Sequence, residues 1–337
     1  ARPGRVTKRS SQAGTGGIQF CKLDAGVMRA RALLSMLTLA AAAVVQVAAC
    51  GARTGLESSP DTEGGGGDGA TDGPPLEPPR DARPEVRRTD CVDAGIDAVF
   101  VVTDDAILER FDPPSATFAP IGHIACPGVQ VGDAPNSMAV DRLGTAYVSY
   151  HDGSLYRVGT SDAACAPTAF VPGQNGWAAY GMGFTTVGGG PAEVLYVAET
   201  SYAHPSKGLA TIDVSSLAFR FIGAFAPPLG NAVELTGTGD GTLYALSLDA
   251  PGPGSHLSRL DPTDAAVASS TALQIGSTDS ALAFAAWGGD FYVFLSAAGG
   301  TGPTTVSRYH PADQSLTTIV THDRVVVGAG VSTCATQ

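Results

Sequence analysis

A short apolar segment with an aromatic residue at its centre recurs five times, as AVFVV, AYVSY, VLYVAE, TLYALS and DFYVFLS. The aromatics are Phe100, Tyr147, Tyr196, Tyr244 and Tyr292, separated by 47, 49, 48 and 48 residues. Nothing else in the sequence narrows the fold so far, because a fixed period of this length marks one supersecondary unit repeated along the chain. A second strand follows each aromatic one, beginning at Leu108, Leu155, Leu209, Leu257 and Val306. Arg110, Arg157, Arg259 and Arg308 share one column of that strand, with Thr211 as the exception. Asp-Pro or His-Pro then turns three of these strands, since Pro cannot donate to a ladder and restricts the residue before it. A third strand reads TFAPIG, PTAFVPG, AFRFIGAF, TALQIG and LTTIVTH.

Ahead of every aromatic strand but the first lies another apolar one: SMAVD, GMGFT, AVELT and ALAFA. Gly-bearing turns join these to their partners, so four antiparallel strands make one unit. The first unit lacks its leading strand, yet VVVGAGVST near the end of the sequence places Gly330 and Val331 where that strand belongs. A missing strand supplied from the far end of a repeat array closes a circle. The expected fold is therefore all-β and resembles a five-bladed β-propeller of four antiparallel strands per blade over residues 91–337, its first blade closed by the C-terminal strand. The 43 Gly and 23 Pro among 337 residues agree with a turn-rich fold. Neither the WD nor the kelch signature is present.

Residues 28–50 run MRARALLSMLTLAAAAVVQVAAC. Arg29 and Arg31 precede an uncharged apolar stretch from Ala32 to Val45, and Val47-Ala48-Ala49 lead into Cys50. This resembles a bacterial lipoprotein signal peptide over 28–49, and the resemblance implies cleavage before Cys50 and lipidation of its thiol. An uncleaved membrane anchor is the alternative. Gly51 rather than Asp after the cysteine implies an outer-membrane destination, so the expected localisation is the cell envelope. Residues 1–27 are read as an extension upstream of the natural start. The stretch 50–90, with a Gly tract, many Pro and no aromatic, is expected to be a disordered tether.

Four cysteines remain beyond Cys21 and Cys50, namely Cys91, Cys126, Cys165 and Cys334, an even number in an exported domain. They allow three pairings. Cys91 precedes the aromatic strand of blade one and Cys334 follows the strand proposed to complete it. Joining those two would staple the closure and leave Cys126 for Cys165. No CxxC or flanking His points to a metal.

The chain is also similar to a family of lipoproteins from large myxobacterial-type genomes. The shared stretches are PNSMAVDRLGTAYV (135–148), ELTGTGDG (234–241), AWGGDFYVF (286–294) and VGAGVSTC (327–334). The likeness brings no activity with it.

The search for chemistry yields little. No GxSxG, HExxH, EF-hand loop or P-loop occurs. Gly237-Thr238-Gly239-Asp240-Gly241 has a nucleotide-loop look, but between two strands it reads as a hairpin turn. Glu234 is the one acid in the expected axial column of Ala139, Gly183, Glu234 and Ala283, and one carboxylate cannot serve as both acid and base. Blade three departs most from the repeat. The loop VPGQNGWAAY offers Asn175, Trp177 and Tyr180, and ETSYAHPSKG offers Tyr202, His204 and Lys207, the only Lys after Cys50. In propellers these two loop types share a face, and such side chains suit carbohydrate or peptide recognition.

The whole chain carries 20 basic and 32 acidic residues, and seven of the basic ones precede Cys50. That balance excludes a general nucleic-acid binder. The expected function is non-enzymatic binding of a carbohydrate or protein partner by a lipid-anchored envelope protein, without metal or cofactor. Ligand candidates are Asn175, Trp177, Tyr180, Tyr202, His204, Lys207 and Glu234. An envelope hydrolase or lactonase acting at the channel mouth is the alternative.

Overall fold

The structure, a computed structural model, describes residue 91 and residues 97–249, 254–275, 280–298 and 302–336. The signal-like segment, Cys50, the tether and the first 27 residues lie outside them.

Every described strand belongs to one of five four-stranded antiparallel sheets. Blade one begins with β1 (Val99–Thr103), β2 (Ile107–Asp112) and β3 (Thr117–His123). Blade two holds β4 (Pro135–Val140), β5 (Thr145–Tyr150), β6 (Leu155–Gly159) and β7 (Cys165–Pro167). Blade three holds β8 (Tyr180–Thr186), β9 (Glu193–Glu199), β10 (Leu209–Ile212) and β11 (Phe219–Gly223). Blade four holds β12 (Asn231–Gly237), β13 (Leu243–Leu248), β14 (Ser255–Leu260) and β15 (Val267–Leu273). Blade five holds β16 (Ser280–Trp287), β17 (Asp290–Ala298), β18 (Thr304–His310) and β19 (Ser315–His322). Finally β20 (Val326–Val331) returns to pair with β1, Phe100 opposite Gly330 and Val99 opposite Val331. The protein is a five-bladed β-propeller closed by that ladder.

The aromatic repeat has a packing cause. Side chains alternate faces along a strand, so each blade buries residues against both neighbours. On β1, Val99 and Val101 face blade five while Phe100 and Val102 face blade two. Five hydrophobic clusters result, one between each pair of adjacent blades. Phe100, Tyr147, Tyr196, Tyr244 and Tyr292 take one cluster apiece. Burying a Val, Leu or Phe in such a cluster contributes about 1.5–3 kcal/mol.

The arginine column sits beside these aromatics. Arg110, Arg157, Arg259 and Arg308 are the direct cross-strand partners of Phe100, Tyr147, Tyr244 and Tyr292. All four arginines are exposed, and a cross-strand Arg beside an aromatic can add packing by its aliphatic stem as well as charge.

At the axis, the inner strands β20, β4, β8, β12 and β16 each pack on the next. A ring of only five blades brings their main chains together. A methyl group built on Gly183 would lie 3.0 Å from the Leu235 carbonyl carbon, and one on Gly330 would lie 2.9 Å from the Val140 nitrogen. The strand register shows two axial layers: Ser137, Gly181, Glu234, Ala283 and Gly328 in one, Ala139, Gly183, Thr236, Ala285 and Gly330 in the other. The expected single column of Ala139, Gly183, Glu234 and Ala283 therefore mixes two levels. Glu234 stands level with Ser137 and Gly181, and Thr236 occupies the position beside Ala139. All ten residues are buried, so the axis is filled rather than open.

Two outer strands differ from expectation. They span Cys165–Pro167 and Val267–Leu273 instead of the segments 167–173 and 271–276. In blade two, Cys165 is tied to Cys126, and the chain then leaves the edge so that Phe170 can enter the core beside Tyr180.

The seam between blades five and one is tied at both ends. Cys91 is bonded to Cys334. Nearby, Asp97 accepts from the indole N–H of Trp287 at 2.9 Å, the Thr336 amide at 2.9 Å and the Thr336 hydroxyl at 3.0 Å. At the opposite end Arg324 pairs with Asp105, and His322 Nε2 lies 2.6 Å from the buried Glu109 while its ring stacks on Phe118.

Candidate functional site

The two irregular loops of blade three meet at one end of the ring. Residues 168–179 connect blade two to β8, and residues 200–208 connect β9 to β10. Lys207 locks them together. Its Nζ donates to the Gly176 carbonyl at 2.7 Å and lies 3.2 Å from Glu199 Oε1, while its main-chain N–H donates to Glu199 Oε2 at 2.9 Å. Glu199 ends β9 and is buried, so one carboxylate anchors both the cation and the loop backbone. His204 Nε2 stands 3.7 Å from the same carboxylate. A charge-assisted pair with one buried member holds position better than an exposed pair, because the buried oxygen has no water to fall back on.

The sequence-derived candidates divide sharply. Asn175, Tyr202, His204 and Lys207 are exposed on these two loops. Asn175 sits in a single 3-10 turn, Gln174–Gly176, with φ of 52°, a left-handed conformation that Asn tolerates better than most residues. Trp177 and Tyr180, by contrast, are buried at 3% and 2% exposure and face the core instead of a ligand. Trp177 packs edge-on against Phe219 at 5.1 Å, and the Tyr180 hydroxyl donates to the Gly153 carbonyl at 3.2 Å. They support the loop from beneath, because their rings are the largest apolar surfaces available to fill the space under an irregular connection. Glu199 was not singled out from the sequence. Its only sequence signal is an acid closing an otherwise apolar strand.

Glu234 lies buried at the axis, against Gly181 of β8. The Ser137 hydroxyl donates to its Oε2 at 2.8 Å, and the Met182 amide also supports it. Burial pushes its carboxyl well above the usual carboxylate range, and these two donors oppose the rise. In its layer it is the sole acid, beside Ser137, Gly181, Ala283 and Gly328. Thr238–Thr242, which includes most of the GTGDG segment, is the tight turn between β12 and β13, closed by the Thr238 N–H to Thr242 carbonyl bond at 2.9 Å.

The cysteine pairs are Cys91–Cys334 and Cys126–Cys165. Two disulfides are compatible with an extracytoplasmic protein. No helix among the described residues is long and apolar enough to cross a membrane. A ring of blades with loops displayed at its ends is a scaffold suited to binding a ligand or partner.

No protein-family model and no curated protein matches the chain. Among solved structures it is similar to the Dos1 propeller, with 15% identity and a TM-score of 0.38 over 66% of this chain and 55% of that one. Hydrazine synthase of Kuenenia stuttgartiensis is similar at 14% identity and a TM-score of 0.38, covering 68% and 67% of the two chains. A chain of a mitotic checkpoint complex is similar at 13% identity and a TM-score of 0.36, covering 78% and 91%. The chain spans about half the length of the first of these, 55%. The blade count and the closure rest on the strand ladders described above.

Proposed function

We propose that this protein is a lipid-anchored, non-enzymatic component of the bacterial cell envelope, attached through Cys50 and binding a carbohydrate or protein partner with the loop face of blade three. The observation that carries this reading is the Lys207 lock. It ties together two irregular loops, one carrying Asn175 and the other Tyr202 and His204. Preformed loops bind with a smaller ordering penalty than loops that must be fixed on contact. The lipobox-like Val47-Ala48-Ala49-Cys50, the tether composition and the paired cysteines support an address outside the cytoplasm.

Photocrosslinking in cells expressing the full chain tests the binding face. A photoreactive residue in place of Tyr202 is expected to give a defined adduct, whereas one in place of the exposed Ser161, at the other end of blade two, gives none. Equal labelling at both positions would contradict the assignment. For the anchor, Cys50→Ser is expected to abolish incorporation of a fatty-acid analogue, and undiminished incorporation would refute lipidation at that residue.

A further inference from the structure

Four blades carry the same row of residues across their strands. The rows are Phe100–Arg110–Ala119, Tyr147–Arg157–Ala166, Tyr244–Arg259–Ser269 and Tyr292–Arg308–Thr317. In each, an aromatic is followed by Arg and then by a small residue. Blade three reads Tyr196–Thr211–Arg220. Its arginine stands one strand further out, and the small residue lies beside the aromatic where the other blades have Arg. A cavity of about 790 Å³ opens at that point, walled by Tyr196, Thr211, Asp213 and Arg220 of blade three and by Pro262 and Thr263 of blade four.

We propose that this groove between blades three and four is a saccharide site that takes a pyranose unit of a neutral glycan. The spacing fits. Neighbouring strands lie about 4.8 Å apart, so Tyr196 and Arg220 stand about 10 Å apart across Thr211, room for a single sugar ring. The volume falls within the range of small-molecule pockets, about 300–1,000 Å³. Tyr196 offers an aromatic face for the apolar side of a pyranose. Arg220 makes no ion pair among the described residues, which leaves its planar fork of donors to ring and hydroxyl oxygens. Asp213 provides the acceptor. Its Oδ1 takes the Ser215 amide at 2.9 Å, the Ser215 hydroxyl at 2.6 Å and the Ser216 amide at 2.8 Å. The same bonds, led by the Ser215 hydroxyl, hold its carboxyl down at about 2, so it accepts at any ordinary pH.

Charge selects against an acidic sugar. Glu193 also borders the groove, but its oxygens turn to the opposite face of the blade, where they take the Arg142 amide at 2.9 Å and the Thr333 hydroxyl at 2.8 Å. A neutral sugar can use the Arg220 donors and the Asp213 acceptor together, whereas a uronate or phosphate placed there meets repulsion from the Asp213 carboxylate. The site is also separate from the loop face. Glu193 and Glu199 mark the two ends of β9, about 20 Å apart at strand rise, so this proposal goes beyond the function proposed above and fails independently of it.

Isothermal titration calorimetry on the full-length protein in detergent tests the site, with maltotetraose, cellotetraose and the N-acetylglucosamine tetramer as neutral probes and tetragalacturonate as the acidic one. At least one neutral probe is expected to bind. Thr211→Arg, which restores the row of the other four blades, is expected to weaken it about tenfold or more while leaving the melting midpoint in place. Arg220→Ala, at an exposed position, is expected to weaken binding by about tenfold too, the size of one lost charged hydrogen bond. Tyr202→Ala leaves the affinity unchanged. No binding of any neutral probe, tighter binding of the acidic one, undiminished affinity in Thr211→Arg and Arg220→Ala, or equal loss with Tyr202→Ala would each overturn the proposal.

Discussion

Blades one and three both break the repeat, and they break it in opposite directions. Blade one takes its inner strand from a distant part of the chain and gathers ties around that junction: the β1–β20 ladder, Cys91–Cys334, the Asp97 bonds and the Arg324–Asp105 pair. Blade three keeps its own four strands in order but lengthens its loops, places Thr211 where the other blades have Arg, and leaves a groove. In the first, irregularity adds contacts to a seam that would otherwise expose unpaired main-chain groups. In the second, it subtracts contacts and frees polar groups. On the function proposed above, departures of the second kind would form the binding surface, because a scaffold can give up contacts only where it does not need them to stay closed.

The comparison breaks if damage to blade one is mild. Deleting residues 326–336 removes β20 and should abolish cooperative melting, since both the β1 edge and the inner packing of two blade interfaces are lost. Calorimetry showing a single transition near the parent midpoint would contradict it. Next in size, the double change Cys91→Ser and Cys334→Ser opens a loop spanning 243 residues, worth about 5 kcal/mol in the chain-entropy model. Opening Cys126–Cys165, which spans 39 residues, is worth about 4 kcal/mol in the same model. Denaturant midpoints should therefore fall further for the first pair than for the second.

A third prediction concerns the axis that both blades share. The carboxyl of Glu234 is raised by burial, so its neutral form stabilises the ring fully below about pH 4.5, its unfolded value. That stability is lost as pH rises through the folded value. Glu234→Gln keeps an acceptor for the Met182 amide and a donor for Ser137 without a charge. Its melting midpoint should draw ahead of the parent as pH rises, and parallel curves over roughly pH 4–9 would remove the buried carboxyl from the account. Smallest is Lys207→Met, expected to cost about 1 kcal/mol by equilibrium unfolding, because the main-chain amide of residue 207 and His204 stay beside the Glu199 carboxylate when the exposed cation is removed. Its larger effect should be on binding at the loop face. A loss as great as that from opening Cys91–Cys334 would erase the contrast between the two blades.

Much of this was legible in the sequence, for physical reasons. The aromatic column must recur because every blade interface needs a large side chain at the same place. Gly330 betrays the closing strand because a residue without a side chain suits the place where the inner strand passes close to Val140, and Val331 beside it supplies a buried apolar side chain. Levels within the axis were harder to read. Hairpin lengths differ between blades, so aligning inner strands by their first residues put Glu234 beside Ala139, whereas Thr236 is the residue eight before its aromatic, as Ala139 is. The outer strands carry no regular apolar alternation, as VASSTAL shows, because one edge and one face meet water. At the candidate site, the convergence of the two loops followed from their place in the repeat. The burial of Trp177 and Tyr180 and the role of Glu199 did not, since an aromatic beneath a loop and one upon it read alike. Thr211 was visible as an exception, but Arg220 becomes its replacement only once strand pairing sets both in one row.

Hydrogen exchange followed by mass spectrometry, on the full-length protein with and without isolated envelope polysaccharide, tests the division of labour between blades one and three most directly. The free protein should exchange slowest at Val99–Thr103 and Val326–Val331, and added polysaccharide should protect segments between residues 170 and 223 while leaving that ladder unchanged. Fast exchange across the seam, or new protection confined to blades one and five, would contradict it.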